Sequence, residues 1–243
     1  MSVLVIGESC LDIFSYGVCT RLCPEAPVPV FTPTSQLPNS GMAMNVYKNL
    51  LSLGVDANIN TNKNYRTITK TRYIEEGRNH MFMRLDENDN SYGKCNVKKI
   101  NFDLYKAIVV SDYNKGYLSE EDITYIGKCH DSVFLDTKKI LGGWSKSVTY
   151  IKININEHER TKHMLDEEIS QKLIITMGSA GASHHGVIYP VPEVDIKDLS
   201  GAGDTFMAAL VKKYINNKNI ENAIKYANQC ATRVVQQKGV ATV

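Results

Sequence analysis

Asp204 stands behind three small residues in "DLSGAGDTF", and an apolar run follows it. In "FMAALVKKYI" the bulky apolar residues fall at 206, 207, 210, 211, 214 and 215, which is helical spacing. Gly201, Ala202 and Gly203 therefore sit where a helix begins. Small residues there let a ligand approach the backbone closely. The first N–H groups of a helix lack intrahelical partners and carry the positive end of its dipole, so such a start suits an anion. The plain alternative is a flexible turn in which the aspartate is a cap or a first-turn carboxylate. A glycine-rich turn before a helix is a weak motif by itself, and the rest of the chain must decide.

Further polar clusters follow apolar runs: "GESCLD", "SDYNKG", "LDTKK", "NINE" and "TMGSAG". The runs before them read as strands: "SVLVIG", "KAIVVSD", "SVFLD", "VTYIKIN" and "KLIITMG". Between them lie helical stretches, "GMAMNVYKNLLSLG", "SEEDITYIGKCH" behind a Ser119 cap, and "NEHERTKHML". "GASHHGVIYPV" reads as a hairpin, and two helices, 203–217 and about 220–236, finish the chain. Strands alternating with helices imply a mostly parallel sheet covered on both faces. Ligands of such sheets bind at the carboxyl ends of the strands, where these clusters fall. "PEAPVPVFTP" holds four prolines and suits an edge segment, and "ITKTRYIEEGRNHMFMRLDE" reads as two strands with a turn at 76–79.

Several classes drop out. The chain has 243 residues, within reach of one large domain, and 43% hydrophobic residues suffice for a core. A net charge of +2 gives no sign of a nucleic-acid or membrane surface. The apolar N-terminus lacks a basic region and a cleavage site, and no run approaches the roughly 18 apolar residues of a membrane helix. Cys10, Cys19, Cys23, Cys95, Cys129 and Cys230 are scattered without zinc-ligand spacing and suit a reducing cytoplasm. His184 and His185 should face opposite ways on a strand and so share no metal. There is no P-loop signature, and no G-x-G-x-x-G follows the first strand.

The clusters, in this order, resemble the motifs of the ribokinase/PfkB family of sugar kinases. "GESCLD" resembles its first-strand motif, "GMAMN" its glycine-glycine-alanine-alanine-asparagine motif, "NINE" its N-x-x-E and "TMGSAG" its T-x-G-x-x-G. Within the family, "CPEAPVPVF", "SDYNKGYL" and "QQKGVATV" look like segments of D-glycero-D-manno-heptose-7-phosphate kinases, often the first module of a bifunctional kinase/adenylyltransferase. The resemblance implies a single ribokinase-like α/β domain over 1–243, with a mostly parallel sheet between helices. It also implies a small β lid formed by about 27–34 and 67–86 that pairs two subunits. The stretch from Gly54 to Thr67 is shorter than the family norm.

The implied roles follow residue by residue. Asp204 is the base for the attacking sugar hydroxyl, and Gly201, Ala202 and Gly203 hold the moving phosphate. Asp12, Gly41 and Asn45 bind the sugar, and Arg84, Lys115 and Lys138 are candidates for a phosphate it already carries. Asn154, Glu157, Thr176, Gly178, Gly181 and Asn228 bind the nucleotide, with Glu157 reaching Mg²⁺ through water. Asn154 and Glu157 also fit a helix cap and its capping-box partner. ATP and Mg²⁺ are the expected cofactors, with room for a monovalent cation. The expected partners are a sugar phosphate and a second copy of the chain, not nucleic acid or a membrane. Met42, Met44, Leu199 and Thr137 depart from the family pattern. Met42, Met44 and the shortened middle favour a non-catalytic sugar-phosphate or nucleotide sensor as the alternative, and a kinase for another sugar or a nucleoside is a third reading.

Overall fold

The computed structural model describes residues 2–243. Its first strand shows how the core is built. In β1 (Ser2–Gly7), Val3 and Val5 enter one apolar cluster while Leu4 and Ile6 enter another. Successive strand residues point to opposite faces, so a continuous apolar run belongs to a strand covered on both sides. The same split occurs in β7 (Tyr105–Asp112), with Ala107 and Val109 on one face and Ile108 and Val110 on the other.

The remaining strands are β2 (Ser9–Leu22), β3 (Pro29–Met42), β4 (Ala57–Asn60), β5 (Thr69–Glu75), β6 (His80–Glu87), β8 (Val133–Thr137), β9 (Tyr150–Asn154), β10 (Leu173–Thr176), β11 (Ala182–His184) and β12 (Val187–Tyr189). The helices are α1 (Ala43–Ser52), α2 (Glu120–Cys129), α3 (Ile155–Thr161), α4 (Glu167–Lys172), α5 (Ala202–Asn217) and α6 (Ile220–Val234). The large sheet has the order β12-β11-β10-β9-β8-β7-β1-β4. From β4 to β10 every pairing is parallel, and β11 and β12 close the sheet as an antiparallel hairpin. Helices α1, α5 and α6 bury Val46, Leu50, Leu210, Val211, Ile224 and Ala227 on one face. On the other, α2 and α4 contribute Ile123, Ile126 and Ile169.

A second sheet, ordered β3-β2-β5-β6, contains the segments expected to form a lid. The proline-rich segment enters it as the edge strand β3, where a missing N–H costs no ladder bond. The turn at 76–79 joins β5 and β6 as expected. This sheet is larger than the two segments expected, because β2 begins inside "GESCLD" and runs for 14 residues. In β2, Cys10, Asp12, Phe14 and Tyr16 fall on alternate positions and are buried, so this strand carries the "GESCLD" motif into the second sheet.

Three other details differ from the sequence reading. The short helix α4 was not anticipated, and α3 stops at Thr161. His185 lies in the β11–β12 turn with φ 52, so its ring packs on His184 with centroids 4.1 Å apart instead of facing away. Each histidine is taken by a main-chain carbonyl, His184 by Leu173 and His185 by Gln171. Among the described residues, no group of three metal-ligating side chains gathers, and no helix is long and apolar enough to cross a membrane.

Candidate active site

Two cavities open at the carboxyl ends of the parallel strands. One, about 340 Å³, lies between the lid and the large sheet and is lined by Asp12, Gly41, Met42, Asn45 and a set of basic residues. The other, about 870 Å³, is lined by Asp136, Lys152, Asn154, Thr176, Gly178, Gly181, Ala202, Gly203 and Asn228. Tyr113, Lys138, Gly201 and Asp204 line both. The start of α5 is therefore the seam between a small polar chamber and a larger, partly apolar one.

Local geometry at the seam follows from the sequence. Gly201 has φ +80, a left-handed conformation that favours glycine, and an added Cβ would lie 2.7 Å from Asn45 Nδ2. Ala202 N–H is spent on Leu199 C=O at 3.3 Å. Gly203 faces the Lys152 ammonium, which would stand 3.0 Å from an added Cβ. Lys152 is buried and pairs with Asp136 Oδ2 at 2.7 Å. A fixed ammonium beside a helix start reinforces the anion site that the small residues suggest.

Asp204 is buried in the first turn of α5. Asn45 Nδ2 donates to its Oδ2 at 2.8 Å, and the Tyr113 hydroxyl donates to its Oδ1 at 2.9 Å. Asn45 is itself oriented by Asn49, whose Nδ2 donates to Asn45 Oδ1 at 3.2 Å, and Thr205 donates to Asn49 at 3.1 Å. Burial raises the Asp204 pKa from the ordinary 3.8 to about 6, and Asp136 adds to the rise. Asn45, Lys152 and Tyr113 work the other way. The carboxylate is thus a stronger base than a surface aspartate and still ionised at neutral pH.

A signed pH dependence follows. Because the pKa is higher folded than unfolded, the folded chain binds a proton the unfolded chain lacks between pH 3.8 and about 6. This group's contribution to stability is therefore lost as pH rises through that window. Chemistry that needs the ionised base runs oppositely and should fall as pH drops through about 6. Melting curves from pH 4 to 8 on the wild type and Asp204→Asn check the first part, since the variant should lose this component of the slope. A pH–rate profile checks the second.

Asp12 pairs with Arg72 at 3.0 Å, while its buried Oδ1 has no partner among the described residues. A buried acceptor with a vacant lone pair is suited to a ligand hydroxyl. Gly41 lines the same chamber, where an added Cβ would meet Cys10 Sγ at 2.7 Å. Met42 also lines it and holds φ 62, a strained value for a side-chain-bearing residue, whereas Met44 does not line it. Arg84 lies in the chamber and forms a bidentate pair with Asp86 at 2.7 and 2.8 Å. Lys115 pairs with Asp89, and Lys70 bridges Asp86 and Asp89. Against the cost of burial, Lys115, Lys70 and Tyr92 hold Asp89 down at about 2.

Lys138 sits at the seam, with Nζ paired to Glu157 and 5.5 Å from the Tyr113 ring centre. Burial opposes its charge, but Asp136, Glu157 and Asp204 together raise its pKa. Asn154 and Glu157 form a full capping box at the start of α3. Glu157 is buried, with one oxygen on Asn154 N–H and the other shared by Asn154 Nδ2 and Lys138. The neighbouring Asp136 keeps a buried Oδ1 without a partner. Asp136 and Asn154 lining the larger cavity fit a hydrated Mg²⁺ carried in with phosphates. Thr176, Gly178 and Gly181 form its rim, Gly178 and Gly181 with φ 59 and 87. Asn228 donates to Tyr189 C=O at 2.7 Å from α6.

The site also contains residues that the motifs did not reveal: Tyr113, Asp136, Lys152, Lys70 and Arg72. Tyr113 and Asp136 lie inside quoted clusters, and their positions after apolar strands were a usable signal. Lys70 and Arg72 come from β5, whose pairing with β2 brings Lys70 opposite Asp12. Only the fold shows that.

The architecture is ribokinase-like. The ribokinase of Thermotoga maritima superposes with a TM-score of 0.73 at 14% identity, covering 99% of this chain and 94% of that one. An Arabidopsis thaliana ribokinase solved with ribose and ATP gives 0.71 at 15%, covering 98% and 93%. The profile of the pfkB family carbohydrate kinases matches residues 146–243, the part that carries Asn154, Glu157, Thr176 and Asp204. The bifunctional protein HldE of Nitratiruptor is 29% identical over 288 positions, covering 99% of this chain and 62% of that protein. That of Helicobacter pylori HPAG1 is 27% identical, covering 98% and 64%. Residues 146–243 thus resemble the PfkB carbohydrate kinases, and the chain over nearly its whole length has a ribokinase-like fold. It spans somewhat less than two thirds of the length of these bifunctional relatives, and the 288 aligned positions exceed its 243 residues, so the relative carries segments absent here.

Proposed function

We propose that the chain is an ATP-dependent kinase that phosphorylates a sugar already carrying a phosphate. One observation carries the acceptor class: the small chamber is lined by Lys70, Arg72, Arg84, Lys115 and Lys138 against Asp12, Asp86 and Asp204. Each of these cations is held by a carboxylate, Arg72 by Asp12, Arg84 by Asp86, Lys70 and Lys115 by Asp89, and Lys138 by Glu157. The convergence of five basic side chains on one small chamber is what suits an anionic sugar, and the unpartnered Asp12 Oδ1 suits its hydroxyls. The resemblance of "PEAPVPVF" and "SDYNKG" to heptose-phosphate kinases narrows the acceptor to D-glycero-D-manno-heptose 7-phosphate, phosphorylated at the anomeric hydroxyl.

In this reading ATP occupies the larger cavity with its γ-phosphate at the start of α5. Asp204 takes the proton of the acceptor hydroxyl, and that oxygen attacks the γ-phosphorus. The bond to the β–γ bridging oxygen breaks, and ADP leaves. Lys152, Lys138 and the N–H groups of Gly201 and Gly203 hold the charge of the moving phosphoryl, while that of Ala202 stays on Leu199 C=O. Mg²⁺, when bound, neutralises the ATP phosphates.

A charge-assisted contact to the acceptor's phosphate is worth about 1.5–3 kcal/mol, roughly ten- to hundredfold in kcat/KM. Heptose 7-phosphate should therefore outpace unphosphorylated heptose and ribose by at least that factor. Arg84→Ala or Lys115→Ala should shrink the preference. Faster turnover of ribose or a nucleoside would replace the acceptor assignment and leave the kinase in place. The strained Met42 in the chamber favours a second reading, a sugar-phosphate sensor without turnover.

The lid is proposed to pair two subunits. Leu37, Met81, Met83 and Leu85 are exposed on it, and the rings of Phe31, Tyr73 and Phe82 pack together within it. Light scattering at high micromolar concentration should give twice the chain mass, and charged replacements at Met81 and Met83 should give a monomer. A wild-type monomer at that concentration contradicts the pairing.

A further inference from the structure

Building on the kinase reading, we propose that Tyr113 is a positioning residue whose hydroxyl fixes the Asp204 carboxylate toward the acceptor chamber. The buried Glu8 holds the loop that carries it.

Tyr113 follows the carboxyl end of β7 and is one of the four residues lining both cavities. Its hydroxyl and Asn45 Nδ2 each take one oxygen of Asp204. Two donors on different oxygens fix the plane of the carboxylate, and each oxygen keeps a lone pair for an incoming hydroxyl. The tyrosine ring also faces the Lys138 ammonium, so one side chain contacts both the base and a cation at the seam.

The loop is held from beneath. Glu8 is fully buried and accepts main-chain N–H groups from Tyr113 at 2.9 Å, Lys115 at 3.0 Å and Tyr117 at 3.3 Å. Among the described residues it forms no ion pair. Burial and the nearby Asp112 raise its pKa, against the N–H groups of Tyr113 and Lys115, which favour the charged form. Within the loop, Asn114 adopts φ 56, a conformation kept where surroundings impose it. A buried carboxylate spent on three backbone donors fixes where the Tyr113 hydroxyl can be.

The test is a pH titration of aspartate carboxyl carbons by NMR on wild type and Tyr113→Phe, with Asp204→Asn assigning the resonance. Phenylalanine keeps the ring and removes only the hydroxyl. Asp136, Lys152, Lys138 and Asn45 still face Asp204 in both proteins. The donated hydrogen bond favours the ionised form, so its loss should move the Asp204 midpoint up by about one unit from about 6. Glu8→Gln places a donor against the loop N–H groups and should move the midpoint the same way. With a working acceptor, the acid limb of the Tyr113→Phe rate profile should shift equally, with kcat down roughly tenfold and ATP KM unchanged. Superimposable Asp204 titrations of wild type and Tyr113→Phe overturn the proposal. A shift in Tyr113→Phe without one in Glu8→Gln overturns the part assigned to Glu8. Because the titration needs no turnover, it decides the role of Tyr113 even if no acceptor is phosphorylated, the result that would sink the kinase reading.

Discussion

Asp204→Asn should abolish phosphoryl transfer while ATP still binds and the fold survives. The substitution keeps the shape of the side chain and its contacts with Asn45 and Tyr113 within reach. It removes the seam carboxylate that is placed to take a proton from a hydroxyl in the small chamber. General-base catalysis is worth roughly 10²–10⁴-fold, and a loss of that size in kcat is expected. Stability should move the other way. Burial makes the ionised carboxylate costly, as its raised pKa shows, so the neutral amide should melt no lower than wild type at pH 7. ATP should raise the melting temperature of both proteins alike. Turnover near the wild-type rate in a folded Asp204→Asn protein would remove the base from the account.

Gly201→Ala should damage both stability and turnover. At φ +80 a side chain is strained by about 1–3 kcal/mol. The new Cβ would also stand 2.7 Å from Asn45 Nδ2 and 3.0 Å from Val240 Cγ1. The asparagine must move, and with it the hydrogen bond that fixes Asp204. Losing such a bond to a charged group costs about 1.5–3 kcal/mol, a further ten- to hundredfold in rate. A thermal melt and a kcat measurement read the two effects separately. If neither changes, Gly201 is a passive turn residue and the seam lies elsewhere.

These two positions were legible in the sequence because a glycine-rich turn before a helical apolar run has a physical meaning of its own. The parallel sheet was legible for a similar reason: strands buried on both faces read as continuous apolar runs, as in "SVLVIG" and "KAIVVSD". Strand β2 was not. Its polar start, "ESCLD", looks like a loop, and only pairing with β3 and β5 makes it the centre of the lid. Lys152 was hidden differently. It sits inside an apolar strand and is tolerated there because Asp136, on the neighbouring strand, neutralises it. Glu157 shows the converse limit. Its spacing from Asn154 fits a nucleotide motif and a capping box equally, and its oxygens are taken up by the cap and Lys138.

The central claim is transfer of phosphate from ATP to a phosphorylated sugar at the start of α5. The most direct test is the rate of ADP formation with Mg²⁺ and saturating ATP, across a panel of sugars and sugar phosphates, with Asp204→Asn run alongside. ADP formation should depend on the acceptor, be fastest with heptose 7-phosphate, match the new phosphate ester mole for mole, and vanish in the variant. If no acceptor raises ADP formation above the Asp204→Asn background, while ATP or a sugar phosphate still raises the melting temperature, the chain is a binding protein and the claim is wrong.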